Sequence, residues 1–211
     1  MNFSGRRIAA SLSIVCLGVS LGAAQQRPLK TDQLRIADFS NVNMGAILET
    51  IATDYAVTIG FETDPNKPQS SIELHLRNVD FIQFLDGVVK AEPRYQWREH
   101  DGFIEVVPVN QGVSLLDTPI SSFQVKDVSR ELALNRLFGL PQVQAQTLSM
   151  GLKVRTPLPS DKTRDEKLSF NLSGVSLRQA LNLIARESGT QFWIARKLAN
   201  GTYEIKLSCF Q

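Results

Sequence analysis

Residues 72–106 read IELHLRNVDFIQFLDGVVKAEPRYQWREHDGFIEV, and residues 168–205 read LSFNLSGVSLRQALNLIARESGTQFWIARKLANGTYEI. The second stretch is a copy of the first. With an offset of 96, Val79 falls on Val175, Leu85 on Leu181, Val88 on Ile184 and Trp97 on Trp193. After a three-residue insertion that follows the Trp97–Trp193 match, Gly102 meets Gly201, Glu105 meets Glu204 and Val106 meets Ile205. A strand–helix–hairpin unit that occurs twice sets the architecture ahead of any motif. No nucleophile, acid or metal ligand recurs with the pattern.

Working outward, each copy has a companion on its N-terminal side. Met44, Ile47, Leu48, Ile51, Ala52 and Tyr55 recur at helical spacing and predict a helix over 43–55, with Asn43 as N-cap. Val57, Ile59 and Phe61 alternate as a strand does. In the second half Phe123, Val125 and Val128 lead to a helix capped by Ser129, with Ala133, Leu134, Leu137 and Phe138 as its stripe. At an offset of 86, Val128 matches Val42 and Leu134 matches Leu48.

In the repeated stretch itself, Ile72, Leu74 and Leu76 alternate with Glu73, His75 and Arg77, a strand with one wet face. Asp80 caps a helix with Phe81, Phe84, Leu85, Val88 and Val89 on its stripe, and Pro93 ends it. Tyr95 and Trp97 start a hairpin through the turn Glu99–Gly102 to Phe103–Val109. Its counterparts are the strand 168–172, a helix capped by Ser176, a Gly189 stop, and the hairpin of 191–194 with 203–207. The fold class is therefore α+β: two tandem small β-α-β/β-α-β-β domains, each a mixed sheet with two helices packed on it. The expected boundaries are 25–110 and 121–211, a linker at 111–120, and a polar inserted loop at about 139–167 with a strand near 152–154.

The N-terminus reads as a secretory signal peptide over residues 1–24. Arg6 and Arg7 precede an apolar run of about 14 residues, short of the ~20 that a spanning helix needs. Gly22-Ala23-Ala24 places small residues before a cut between Ala24 and Gln25. An uncleaved anchor and a lipoprotein at Cys16 compete, but Val15 is a poor residue before a lipidated cysteine. Cys209 is then the single cysteine left, so no internal disulfide is expected.

The formal charge of +2 comes from Arg6 and Arg7; without them 21 basic residues meet 21 acidic ones. The halves differ in sign. Residues 25–110 hold 8 Lys/Arg against 13 Asp/Glu, and residues 111–211 hold 13 against 8, so the balances are −5 and +5. Opposite signs make the halves attract.

The element order and the stretch VDFIQFLDGVVKAEPRYQWREHDGFIEV resemble the short N-terminal (STN) domain of secretins and TonB-dependent receptors. The matching features are the strand, the connection Asn78-Val79-Asp80, an amphipathic helix with a central Leu, a Gly or Pro break, an aromatic strand, a Gly turn and a final Ile/Val strand. Residues 34–109 match throughout and residues 121–207 less well. The resemblance implies a non-enzymatic periplasmic module that binds protein partners of a secretion, pilus or receptor system. Pore formation and ligand transport are not implied, because neither a ring domain nor a barrel follows in this sequence.

Chemical motifs are sparse. The two histidines, His75 and His100, fall on a wet strand face and in a turn, far from any nucleophile pattern. No catalytic, cofactor or metal residues are expected, since two His and one free Cys are too dispersed for a ligand set. Trp97 and Trp193 occupy one repeat position and read as core aromatics rather than a ligand platform. The stretch 155–167 mixes acids with bases and reads as a solvated loop. The competing functions are a small α/β nucleic-acid binder and an unrecognised envelope hydrolase. Balanced mature charge and the lack of a basic Gly-x-x-Gly loop count against the first. Alanine at His75 and His100 would test the second. Sequence thus favours protein partners in the envelope, with self-association open, and neither nucleic acid nor a small-molecule substrate.

Overall fold

The computed structural model describes residues 34–64, 70–110, 112–155, 167–198 and 200–208. The class is α+β. The first unit runs β1 (Leu34–Asn43), α1 (Met44–Tyr55), β2 (Ile59–Glu62), β3 (Ser71–Val79), α2 (Phe81–Ala91), β4 (Tyr95–His100) and β5 (Phe103–Pro108). The second runs β6 (Pro119–Val128), α3 (Arg130–Phe138), α4 (Pro141–Ser149), β7 (Lys153–Arg155), β8 (Leu168–Ser176), α5 (Leu177–Glu187), β9 (Phe192–Lys197) and β10 (Thr202–Ser208).

Duplication is written into the backbone. β1 pairs with β3 antiparallel, Leu34 opposite Val79 and Val42 opposite Ile72. β6 pairs with β8 the same way, Ile120 opposite Val175 and Val128 opposite Leu168. Both ladders slip just before that last pair, and the slip carries a left-handed residue in each, Asn41 (φ 56°) and Asp127 (φ 52°). Asn and Asp tolerate this region because their short polar side chains bond locally. The helices start as their sequences dictate. Asp80 with Gln83, and Ser176 with Gln179, form reciprocal capping boxes.

The two units do not keep separate main sheets. β4-β5-β2 and β9-β10-β7 join through a parallel β2–β9 contact into one six-stranded sheet. β9 runs parallel to β2, whereas its counterpart β4 runs antiparallel to β2 through β5. The second unit is therefore turned over by a half-turn about the line crossing the strands. This turn also exchanges the faces. Ile59, Phe61, Ile104, Val106, Tyr95 and Phe192 pack with α1 and α2 on one side. Trp193, Ala195, Tyr203 and Ile205 pack with α3 and α5 on the other.

Three local readings differ from expectation. Within the expected linker, a 3-10 turn at Leu115–Asp117 buries Leu115 and Leu116 completely. Within the expected loop lies α4, which has no counterpart in the first unit. Finally, Trp97 pairs with Val106, but Trp193 pairs with Leu207 and Ala195 with Ile205. If Val106 corresponds to Ile205, then Ala195 is the counterpart of Trp97, and Trp193 that of Tyr95. Two of the three extra residues therefore sit between α5 and β9, ahead of Trp193 and not after it, and the match of Trp97 to Trp193 does not hold.

Candidate functional site

The strongest concentration of buried polar groups lies at the seam between the units. It arises from strand alternation. On β2 and β5, Ile59, Phe61, Ile104 and Val106 face the helices of their own unit. Their neighbours Glu62 and Glu105 must then point to the opposite, wet face of that unit. The second unit, being turned over, lays α5 on this face. Glu62 ends 4% exposed and Glu105 2%.

α5 brings Arg178, itself 3% exposed, between the two carboxylates. Its Nη2 donates to Glu62 Oε2 at 2.5 Å and to Asp117 Oδ1 at 3.3 Å, and its Nε stands 3.9 Å from Glu105 Oε2. Glu62 Oε1 also accepts from Ser114 Oγ at 2.6 Å and from Tyr203 OH at 3.1 Å. Glu105 accepts from Asn182 Nδ2 at 2.8 Å and from Arg98 Nε at 2.8 Å. Asn182 in turn accepts from Trp193 Nε1 at 2.8 Å. Two hydrogen-bonded groups, Tyr203–Glu62–Arg178 and Glu105–Asn182–Trp193, thus meet at the 3.9 Å contact of Arg178 with Glu105. The Arg178 Nε and Nη1 are buried without a hydrogen-bond partner among the described residues.

Burial alone would lower the Arg178 pKa. The attraction of Glu62, and then of Glu105 and Asp117, outweighs it and holds the guanidinium above its ordinary value. Burial, with Glu62 beside it, pushes the Tyr203 hydroxyl well above its ordinary range. The hub thus stays ionic at Arg178 and neutral at Tyr203 through the physiological range.

The histidines stand apart. His75 is 60% exposed, with Nδ1 2.6 Å from Asp38 Oδ1. His100 Nε2 lies 3.1 Å from Asp101 Oδ2 and 2.9 Å from Gln179 Nε2, at the rim of the seam. Among the described residues neither is hydrogen-bonded to a Ser, Thr or Cys side chain. Among the described residues no group of three or more His, Cys, Asp or Glu is placed to hold a metal ion, and no helix is long and apolar enough to cross a membrane. The cleavage site expected at Ala24 and Gln25, and Cys209, lie outside the described residues. Trp193 is fully buried, while Trp97 is half-buried with its Nε1 donating to Asp86 at 2.8 Å.

Sequence reasoning missed Glu62, Glu105, Arg178 and Asn182. Each looks like an ordinary surface residue on an alternating strand or helix. The available signal was the sign difference between the halves, since Glu62 and Glu105 come from the acidic half and Arg178 from the basic one. Comparison with family models, with curated proteins and with solved structures found no match.

Proposed function

We propose that this chain is a non-catalytic protein–protein interaction module of the bacterial envelope, an adaptor or scaffold that works in the periplasm after removal of residues 1–24. The observation that carries the reading is how the buried polar groups are used. Glu62, Arg178 and Tyr203, and Glu105, Asn182 and Trp193, are joined in two hydrogen-bonded groups that meet at the Arg178–Glu105 ion pair, so they fix the relative placement of two repeated units rather than converge on a reacting atom. The likeness of both units to the STN domain supports the same function, as does the signal-peptide layout. The joined units leave β4 and β7 as the outer strands of the six-stranded sheet. An outer strand offers unpaired backbone donors and acceptors to a partner strand.

The test is photo-crosslinking in the native cell. A photoreactive residue goes at Gln96 on the exposed β4 edge, with another at Glu73 on the wet face of β3 as control. The expected result is an exported chain that crosslinks to a discrete envelope protein from Gln96 and not from Glu73. A chain retained in the cytosol, or equal non-specific labelling from both positions, overturns the proposal.

A further inference from the structure

The seam joins a sheet face to a helix stripe, and each unit owns one of each. Inside the chain, the sheet face of the first unit (Gly60, Glu62, Glu105 and Arg98) receives the α5 stripe of Arg178, Asn182 and Arg186. The other stripe remains open, and so does the other sheet face beyond Phe192 and Ile194, which the first unit's core covers. Strand pairing matches Arg155 to Gly60, because they face Glu204 and Glu105, and matches Arg196 to Arg98. The offset of 96 between the helices matches Ile82 to Arg178, Asp86 to Asn182 and Lys90 to Arg186.

The charges are inverted between the used pair and the unused pair. In the seam the sheet supplies two carboxylates and the helix supplies the central cation. On the open face of β9-β10-β7 the sheet supplies cations. Arg196 Nη2 lies 2.5 Å from Glu204, and Arg155 Nη1 and Lys206 Nζ each lie 3.9 Å from it, so three cations surround one carboxylate. Their side chains are 70% (Arg155), 40% (Arg196) and 55% (Lys206) exposed. On α2 the matching stripe has lost its central cation to Ile82, 38% exposed, and gained an acid, Asp86. Lys90 keeps its sign. Each open surface is thus complementary to the other, in the reverse sense to the seam.

We propose that a second copy of this chain docks its α2 stripe, Ile82 and Asp86, on the open β9-β10-β7 face, repeating between chains the contact that α5 makes within one. The contact is heterologous, and a second copy leaves the same two surfaces open at its ends. The acidic first unit of one chain then meets the basic second unit of the next, as the units do inside the chain. This goes beyond the envelope reading, because purified chain suffices to show it.

Sedimentation equilibrium of the purified chain at about 50 mM and about 500 mM salt tests it, since exposed charges are screened at the higher value. A weight-average mass of dimer or above at low salt, falling towards monomer at high salt, is expected. Asp86→Lys, or Arg155→Glu with Lys206→Glu, should each give monomer at low salt. Mixing those two variants should restore association, since each keeps one intact surface for the other and the two altered surfaces carry opposite charges. Ile82→Lys, which breaks no bond within the chain, should also give monomer and guards against misfolding of Asp86→Lys. Monomeric wild type at low salt, self-association unchanged in the variants, or folded variants whose mixture stays monomeric overturns the proposal.

Discussion

Gly60 and Trp193 are Cα partners in the parallel β2–β9 contact, and the indole lies where a side chain at 60 would stand. A Cβ built on Gly60 would sit 2.2 Å from Trp193 Cζ2 and 2.4 Å from its Cε2, far inside contact distance. Gly60 is therefore required by close approach and not by a left-handed backbone. Gly60→Ala must push the fully buried indole or part β2 from β9. We expect a loss of about 1–3 kcal/mol in urea melts, the usual cost of overpacking. Trp193→Phe should relieve part of it, so the double variant should be more stable than the sum of the single losses. Additive losses would show that the two residues do not meet.

Arg178 illustrates why the seam depends on matched charges. Removing it leaves Glu62 and Glu105 buried together. Arg178→Met should cost about 3–5 kcal/mol, as loss of one partner from a buried ion pair does. The triple replacement Arg178→Met, Glu62→Gln, Glu105→Gln should recover much of this. Urea melts of the set decide it, and a triple variant weaker than Arg178→Met alone would contradict the account.

Leu85 and Leu181 occupy the same place in α2 and α5 and are 1% and 0% exposed, each in the core of its own unit. Truncating either to Ala should cost roughly 2–5 kcal/mol. Chemical denaturation followed by circular dichroism measures both. A loss below about 0.5 kcal/mol at both positions, the range of surface changes, would break the correspondence of the two helices.

The elements were largely legible because local chemistry dictates them. Asn43, Asp80, Ser129 and Ser176 cap their helices as their side chains predict. α4 was not legible: only Val143 and Thr147 are buried, and Leu140 at its N-cap supplies no side-chain bond. The β2–β9 contact was illegible for a different reason. Strand alternation says which face a glutamate occupies, but not that a second unit will cover that face. Nor could the offset of 96 reveal that two of the three extra residues precede β9, because two tryptophans align by identity more readily than Trp97 with Ala195.

That register has a spectroscopic consequence. Trp193 is sealed in the seam, whereas Trp97 donates to an exposed Asp86. Trp193→Phe strands the Asn182 carbonyl oxygen and should cost about 1–3 kcal/mol, the penalty for an unsatisfied buried group. Trp97→Phe should cost about 0.5 kcal/mol or less beyond any packing change, since water replaces its bond. In iodide quenching, the fluorescence left in Trp97→Phe should be the protected, blue-shifted part. Equal quenching in both variants would mean that the two rings share one environment.

Tyr203 sets a pH dependence. Burial first, then the negative Glu62 that accepts its hydrogen bond, raise its pKa well above the ordinary 10.0. Below about pH 10 both folded and unfolded chains hold the phenol proton, so the contribution of Tyr203 is fully present. Above it the unfolded chain loses the proton and the folded chain keeps it. Stability therefore falls as pH rises, by up to about 1.4 kcal/mol per pH unit for one group, until the folded pKa is passed. Tyr95 is also raised, chiefly by burial, and contributes to the same fall. Tyr203→Phe should cost about 0.5–1.5 kcal/mol near neutral pH, for the lost bond to Glu62. Its stability should then decline less steeply than wild type between pH about 10 and 11, with Tyr95 supplying the remaining slope. Urea melts across that range compare the two. Parallel curves for wild type and Tyr203→Phe would mean that Tyr203 titrates normally and does not donate a hydrogen bond to Glu62 in a closed seam.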